Sequence, residues 1–277
     1  MRTIEQTLAV QADAAIHKVD GMRHPLRFTV SGMLAGAYVG IAVVLMLNAA
    51  GPLAAADSGW AKLVSGLVFG VALTLVVFAG AELVTSSMMT LTQGALMRAV
   101  GVGSAAGGVG FTFAANLLGA AAFGTLIAFS GILHANPAAA SMLDAMLEAK
   151  AYESPLELFV RGILCNVLVC VAIWMCARLT TDGPKLAVIF WALLAFITSG
   201  FEHVVANMTT FTLGLATGVP SATWASFGTN MLWVGLGNLV GGAVIVGLAY
   251  WVVGGSPRVS PVPDTVPAHV DAARMDR

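Results

Sequence analysis

Between His203 and Pro257 the chain carries no Asp, Glu, Lys or Arg. Such a stretch cannot face water along its length, and roughly 20 mostly apolar residues suffice for one helical membrane crossing. Phe28 to Ala56, Leu63 to Ala81, Ala99 to Leu143, Gly162 to Ala177 and Leu186 to Phe201 are further charge-free runs. Glu82 alone separates the second of these from another apolar stretch ending at Met97. Charged residues are 10% of the 277, against about 25% in soluble domains. This excludes an ordinary soluble enzyme, a disordered chain and a collagen-like one. A net charge of −1 supplies no basic field, so nucleic acid is excluded as a partner.

Turn-forming residues divide the runs at Asn48 to Pro52, Asn136-Pro137, Asp182-Gly183-Pro184 and Val219-Pro220. The pattern predicts an all-α integral membrane protein with six transmembrane helices near 28–49, 63–97, 105–133, 156–178, 186–215 and 227–253. Spans two and five are too long and are interrupted by polar residues. The apolar/polar alternation of an outer-membrane strand is absent, which argues against a β-barrel.

Lys and Arg set the orientation. With the N-terminus inside, Arg2, Lys18, Arg23, Arg27, Arg98, Arg178, Lys185, Arg258, Arg274 and Arg277 face the cytoplasm, and only Lys62, Lys150 and Arg161 face outward. Both termini are therefore expected in the cytoplasm, with the protein in the cell inner (plasma) membrane. The first 27 residues lack the apolar core of a signal peptide. Ile4, Leu8, Ala12, Ala15, Ile16 and Val19 instead recur at helical spacing, which predicts an amphipathic helix over 3–20 on lipid or against the bundle. The expected organisation is a cytoplasmic segment 1–27, a six-span domain 28–253, and a disordered cytoplasmic tail 254–277 rich in Pro, Asp and Arg.

Two short motifs recur at nearly one offset. Gly80-Ala81-Glu82 matches Gly200-Phe201-Glu202, 120 residues on, and Asn116-Leu117-Leu118-Gly119 matches Asn238-Leu239-Val240-Gly241, 122 residues on. A duplicated three-span unit places its second copy upside down, because three is odd. Inverted 3+3 repeats with broken helices at corresponding positions are the architecture of transporters and channels.

Ionisable residues at membrane depth cost a few kcal/mol or more and mark functional positions. Glu82 and Glu202 fall at the interruptions of spans two and five. Capping of a broken helix is the plainer reading of both carboxylates, and a role in transport the sharper one. Asn116, Asn166, Asn207 and Asn238 read first as helix–helix hydrogen-bond partners. His203 is the one histidine inside a span, beside a carboxylate and at a break, where an imidazole can hold or give a proton near neutral pH.

Other signals are weak. Asn136-Pro137-Ala138 spells a water-channel tripeptide but has no copy in the second half. Gly101-Val102-Gly103-Ser104-Ala105-Ala106 fits a loose dinucleotide fingerprint, yet lies between spans rather than after a strand. Cys165, Cys170 and Cys176 share span four at a spacing that matches no metal or redox motif, so no metal or other cofactor is expected.

Three segments carry a resemblance to a known family: Glu82-Leu83-Val84-Thr85; Arg161-Gly162-Ile163-Leu164-Cys165-Asn166 with Val169-Cys170-Val171-Ala172-Ile173-Trp174-Met175; and Ser199-Gly200-Phe201-Glu202-His203-Val204-Val205-Ala206-Asn207-Met208. Over about residues 15 to 253 the chain resembles the formate/nitrite transporter family. Gly32 to Gly40, Glu82 and Asn207-Met208-Thr209 resemble its nitrite branch. Val84 and Val204 stand where the family often has Phe and Ser.

The resemblance implies an aquaporin-like six-helix protomer assembled as a homopentamer in the lipid bilayer, each protomer with its own pore. It implies that His203 is the central histidine and Thr85 its hydrogen-bonding partner on the span-two loop. Phe69 and Leu73 then form the outer constriction, and Leu83 and Phe196 the inner one. Lys150 becomes the outer lysine that draws anions in, and Asn166 an asparagine near the pore, with Glu202 and Asn207 completing the pathway. The expected function is transport of a small monovalent anion or its weak acid, nitrite first, with formate, hydrosulfide or lactate as alternatives. A neutral-solute or water pore is the rival from another class. A membrane redox enzyme is disfavoured, since a lone intramembrane histidine cannot ligate haem in the paired way.

Overall fold

The computed structural model describes residues 1–259, and every described element is helical. In chain order these are α1 (Ile4–Gly21), α2 (Pro25–Ala55), α3 (Ala61–Phe69), α4 (Val71–Ala79), α5 (Val84–Leu96), α6 (Val102–Phe129), α7 (Ile132–Ala135), α8 (Pro137–Tyr152), α9 (Pro155–Arg178), α10 (Asp182–Thr198), α11 (Val204–Thr217), α12 (Trp224–Leu239), a π-helical continuation (Val240–Leu248) and α13 (Ala249–Val253). Among the described residues five helical stretches are long and apolar enough to cross a membrane: Pro25–Ala55, Ala61–Ala79, Val102–Phe129, Pro155–Arg178 and Trp224–Val253.

The predicted span 63–97 comprises α3, α4 and α5, and the predicted span 186–215 comprises α10 and α11. One is interrupted at residues 80–83 and the other at 199–203. The cause is local. Gly80 and Gly200 take positive φ values of 78° and 73°, a left-handed turn that ends a helix and that glycine adopts without a Cβ penalty. The chain then runs extended through Leu83 and His203, the N-caps of α5 and α11.

Small residues let the long helices approach closely. A Cβ added to Gly119 of α6 would lie 1.9 Å from the Met33 carbonyl oxygen of α2. A Cβ on Gly241, in the continuation of α12, would lie 2.4 Å from the Ile163 carbonyl oxygen of α9. Gly119 and Gly241 are the glycines of the repeated Asn-x-x-Gly motif, so the two halves use the same contact. With no water to drive apolar association inside a bilayer, such close packing is what holds helices together.

The segment after α12 loosens to π-helix where side chains from other helices take its carbonyls. Asn166 Nδ2 donates to the Asn238 carbonyl at 2.6 Å, and Gln93 Nε2 to the Gly247 carbonyl at 3.2 Å. Side chains inserted into a helical ladder are a recognised cause of such bulges.

Helix α1 lies across one end of the bundle. Thr3 and Gln6 form a capping box. Leu8 and Ala12 are buried in a cluster with Met89, Met97 and Trp174, and Gln11 Oε1 accepts from the Thr90 hydroxyl at 2.8 Å. This helix therefore docks on protein along its buried face. Residues 254–259 turn back, with Trp251 Nε1 donating to the Pro257 carbonyl and Val259 N–H to the Met97 carbonyl. The disordered tail was expected over 254–277; residues 254–259 are held by these bonds, and those from 260 onward lie outside the described residues.

Gly119→Ala is expected to destabilise the detergent-solubilised protein by about 1–3 kcal/mol through overpacking. Gly107→Ala on the same helix, where nothing lies within 4 Å, should leave the melting temperature unchanged or raise it. Thermal unfolding of the two variants checks this.

Candidate functional site

Each break leaves backbone groups without helical partners, and burial makes that costly. Two asparagine side chains solve the problem in the same way. Asn116 Oδ1 accepts from Val84 N–H at 2.9 Å, while its Nδ2 donates to the carbonyls of Glu82 and Gly32, both at 2.8 Å. Asn238 Oδ1 accepts from Val204 N–H at 3.0 Å, while its Nδ2 donates to the carbonyls of Glu202 at 3.0 Å and Gly162 at 2.8 Å. Glu82 N–H reaches the Ser31 carbonyl at 3.3 Å, and Glu202 N–H the Arg161 carbonyl at 3.2 Å. The reading of the two glutamates as helix caps is thereby corrected. The amides cap because an amide both donates and accepts, as each break requires, whereas an ionised carboxylate only accepts.

The freed carboxylates pair with lysines instead. Lys18 of α1 forms an ion pair with Glu82. Lys150 Nζ lies 2.5 Å from both carboxylate oxygens of Glu202, and the two side chains are 9% and 7% exposed. Asn207 Nδ2 donates to Glu202 Oε2 at 2.6 Å and to Asn230 Oδ1 at 2.8 Å. Lys18 went unrecognised in the sequence because it belongs to a separate amphipathic helix. Its one signal was the position of a lysine on that helix's buried side.

His203, the last residue of the second break, is buried. Its Nδ1 accepts from Ala206 N–H at 3.2 Å and so caps α11. That leaves Nε2 carrying the proton in the neutral ring, directed at Thr85 Oγ1 3.1 Å away. Thr85 was expected on a loop; it lies in the first turn of α5, where helical geometry restricts its χ1. Its carbonyl accepts from Asn166 Nδ2 at 3.1 Å and lies 3.4 Å from Cys170 Sγ. Asn166 therefore ties Thr85 to Asn238 through one amide group. The three cysteines are free and buried.

Two cavities converge on this histidine. One, of about 320 Å³, lies on the Lys150 side and is lined by Lys62, Lys150, Glu153, Arg161, Glu202 and Asn207, narrowing to Phe69, Phe196 and His203. The other is an apolar chamber of about 10 Å³ walled by Val39, Phe69, Ala72, Leu73, Leu83, Val169, Leu193, Phe196 and His203, room for about one water molecule. Phe69 and Phe196 meet edge-to-face with centroids 5.8 Å apart, and Phe196 stacks 6.0 Å from the His203 ring. Of the four residues expected at constrictions, Phe69 and Phe196 line both cavities, while Leu73 and Leu83 line the chamber only. An aromatic side chain reaches across to the neighbouring helix, so its partner depends on helix packing rather than position along the chain.

A charged cavity that tightens into an apolar chamber at a buried histidine, inside a bundle of membrane-length helices, defines a membrane transport protein. The chain belongs to the formate/nitrite transporter family, whose model, described as Formate/nitrite transporter, matches residues 5–252. It is 42% identical over 231 residues to the nitrite transporter NirC of Escherichia coli (strain K12), covering 82% of this chain and 84% of that protein. It is 32% identical over 245 residues to the formate channel FocA of Haemophilus influenzae, covering 82% and 86%. Among solved structures it resembles an FNT family ion channel with a TM-score of 0.83 and 38% identity, over 89% of this chain and 98% of that one. A pentameric formate channel with formate bound follows at TM-score 0.67 and 26% identity, over 81% and 97%.

Replacing either capping asparagine by alanine orphans one N–H and two carbonyls, at about 1–3 kcal/mol for each group left buried and unpaired. Asn116→Ala and Asn238→Ala are expected to lower the melting temperature by similar amounts. A large inequality between them would contradict the equivalence of the two breaks.

Proposed function

We propose that this protein conducts nitrite, as the anion or its weak acid, along the path from the Lys150 cavity through the chamber at His203. The observation that carries the reading is the geometry at His203, a buried imidazole that is hydrogen-bonded through Nε2 to the Thr85 hydroxyl and is the one polar side chain lining an otherwise apolar chamber. An anion stripped of water in such a chamber is strongly disfavoured unless paired or neutralised. A small neutral acid enters at far lower cost. A hydrogen bond or proton at His203 offsets what desolvation remains.

In this reading the chain crosses the membrane six times, with crossings two and five broken at 80–83 and 199–203, as an inverted repeat. Both termini and α1 face the cytoplasm, so Lys18–Glu82 marks the inner vestibule and Lys150–Glu202 the outer one. Phe69, Phe196, Leu73 and Leu83 form the hydrophobic constrictions, while Asn166 and Asn207 hold the walls in register. The bundle assembles as a homopentamer in the inner membrane, like the pentameric formate channel it resembles. Identity favours nitrite, at 42% to the nitrite transporter against 32% to the formate channel. Formate is the second reading, favoured by the likeness to a solved channel with formate bound.

The test is uptake by proteoliposomes of nitrite against formate at two pH values, with and without collapse of a proton gradient. Faster nitrite uptake supports the proposal, and faster formate uptake replaces it with the second reading. His203→Asn keeps a hydrogen-bonding side chain but cannot titrate. It is expected to flatten the pH profile of nitrite flux and lower its rate by about a hundredfold, at the low end of the 10²–10⁴-fold worth of a positioned proton donor. Unchanged flux and pH profile would remove His203 from the mechanism. Flux of water or glycerol indifferent to pH would favour a neutral-solute pore instead.

A further inference from the structure

The outer cavity holds more charge than the Lys150–Glu202 pair. Lys62 of α3, Lys150 of α8, Glu153 just past its end, Arg161 of α9 and Glu202 all line it. Lys150 is neutralised by contact with both oxygens of one carboxylate. A compensated pair projects only a dipolar field, which fades faster with distance than that of a single charge. Any attraction of anions by Lys150 is therefore short-ranged and acts within the cavity.

Two other cations are better placed. Lys62 is exposed and forms no ion pair among the described residues. Arg161 is 39% exposed, and its side chain is held by Glu153 through Oε1 only. Glu153 Oε2 is buried and accepts no hydrogen bond from the protein. A buried carboxylate oxygen without a donor is an unstable arrangement for an anion and a suitable place for a proton.

We propose that Arg161 and Lys62 form an anion-capture site at the outer mouth, and that Glu153 is the counter-charge that closes it. This rests on the reading of the protein as an anion conductor. With Glu153 ionised, Arg161 is engaged and Lys62 acts alone. With Glu153 neutral, the Arg161 guanidinium is released toward the cavity and the mouth gains one positive charge. Burial, reinforced by the Glu202 carboxylate and opposed by Lys150 and Arg161, holds Glu153 above the ordinary carboxylate range. The groups facing it are Arg161 and Glu157 from α9, Lys150 from α8 and Glu202 from the α10–α11 link, with Lys62 in the same cavity. A raised value means that the carboxyl gains its proton at higher pH than a free one, so capture strengthens as the outer solution acidifies. Those are the conditions under which a weak acid is also most available in neutral form.

The experiment is the half-saturation concentration for nitrite entering right-side-out membrane vesicles that contain the full chain, measured at about pH 6 and about pH 8. Comparing variants with wild type at one pH cancels the change in nitrous acid itself. Glu153→Gln is expected to lower half-saturation about threefold at the higher pH, at the modest end of electrostatic focusing. It should also narrow the difference between the two pH values, with the maximal rate little changed. Lys62→Gln, on an exposed side chain, should fold normally, raise half-saturation about threefold and reduce its dependence on salt. Wild-type half-saturation in both variants, or a change in maximal rate alone, overturns this site while leaving anion conduction standing. A wild-type protein that moves neither nitrite nor formate overturns both.

Discussion

Backbone groups buried without helical partners are the constraint around which this molecule is organised. In a bilayer a broken helix is tolerated only where protein re-satisfies the exposed N–H and carbonyl groups. Here one asparagine does so at each break, and its three hydrogen bonds join three helices. The turn of chain that carries His203 is thereby held still. The first turn of α5, which carries Thr85, is held by the equivalent amide. The 3.1 Å contact between their side chains follows from two caps that act independently.

Polarity is graded along the proposed path. Ion pairs lie on both sides of the histidine, with Lys18–Glu82 in one half and Lys150–Glu202 in the other. Between them the walls are Phe, Leu, Val and Ala. A buried pair contributes little to stability, because desolvating two charges offsets most of their attraction. Its value here lies in position, since on the proposed path each lysine and glutamate places a strong dipole where a solute begins to lose water. Lys18 and Lys150 come from α1 and α8, neither of which flanks a break, so each ion pair joins distant parts of the chain.

The repeated motifs have a physical meaning that repetition alone did not disclose. In Asn-x-x-Gly the asparagine caps a broken helix, and the glycine three residues later lets the next helix come within contact of a carbonyl. In Gly-x-Glu the glycine makes the left-handed turn and the carboxylate reaches a lysine. The glutamates drew attention as caps because a charge at membrane depth must be satisfied somewhere. They are satisfied by cations from α1 and α8, and no local pattern around residues 82 or 202 names those partners. The pairing of Phe69 with Phe196 was equally hidden, because it depends on how α3 and α10 pack side by side.

What the sequence by itself determined is whatever follows from a residue and its near neighbours. Charge-free runs made a helical membrane protein unavoidable, Gly80 and Gly200 set the breaks, and the short Glu-His segment marked the site. These are local, since water exclusion and backbone conformation act over a few residues. Only the tertiary structure decided which side chain answers which: asparagine rather than glutamate at the caps, Lys18 with Glu82, Phe69 with Phe196, and Glu153 with Arg161 at the mouth. Such partnerships join helices distant in the chain, and hydrogen bonds and ion pairs form only between groups that packing brings to within about 3 Å.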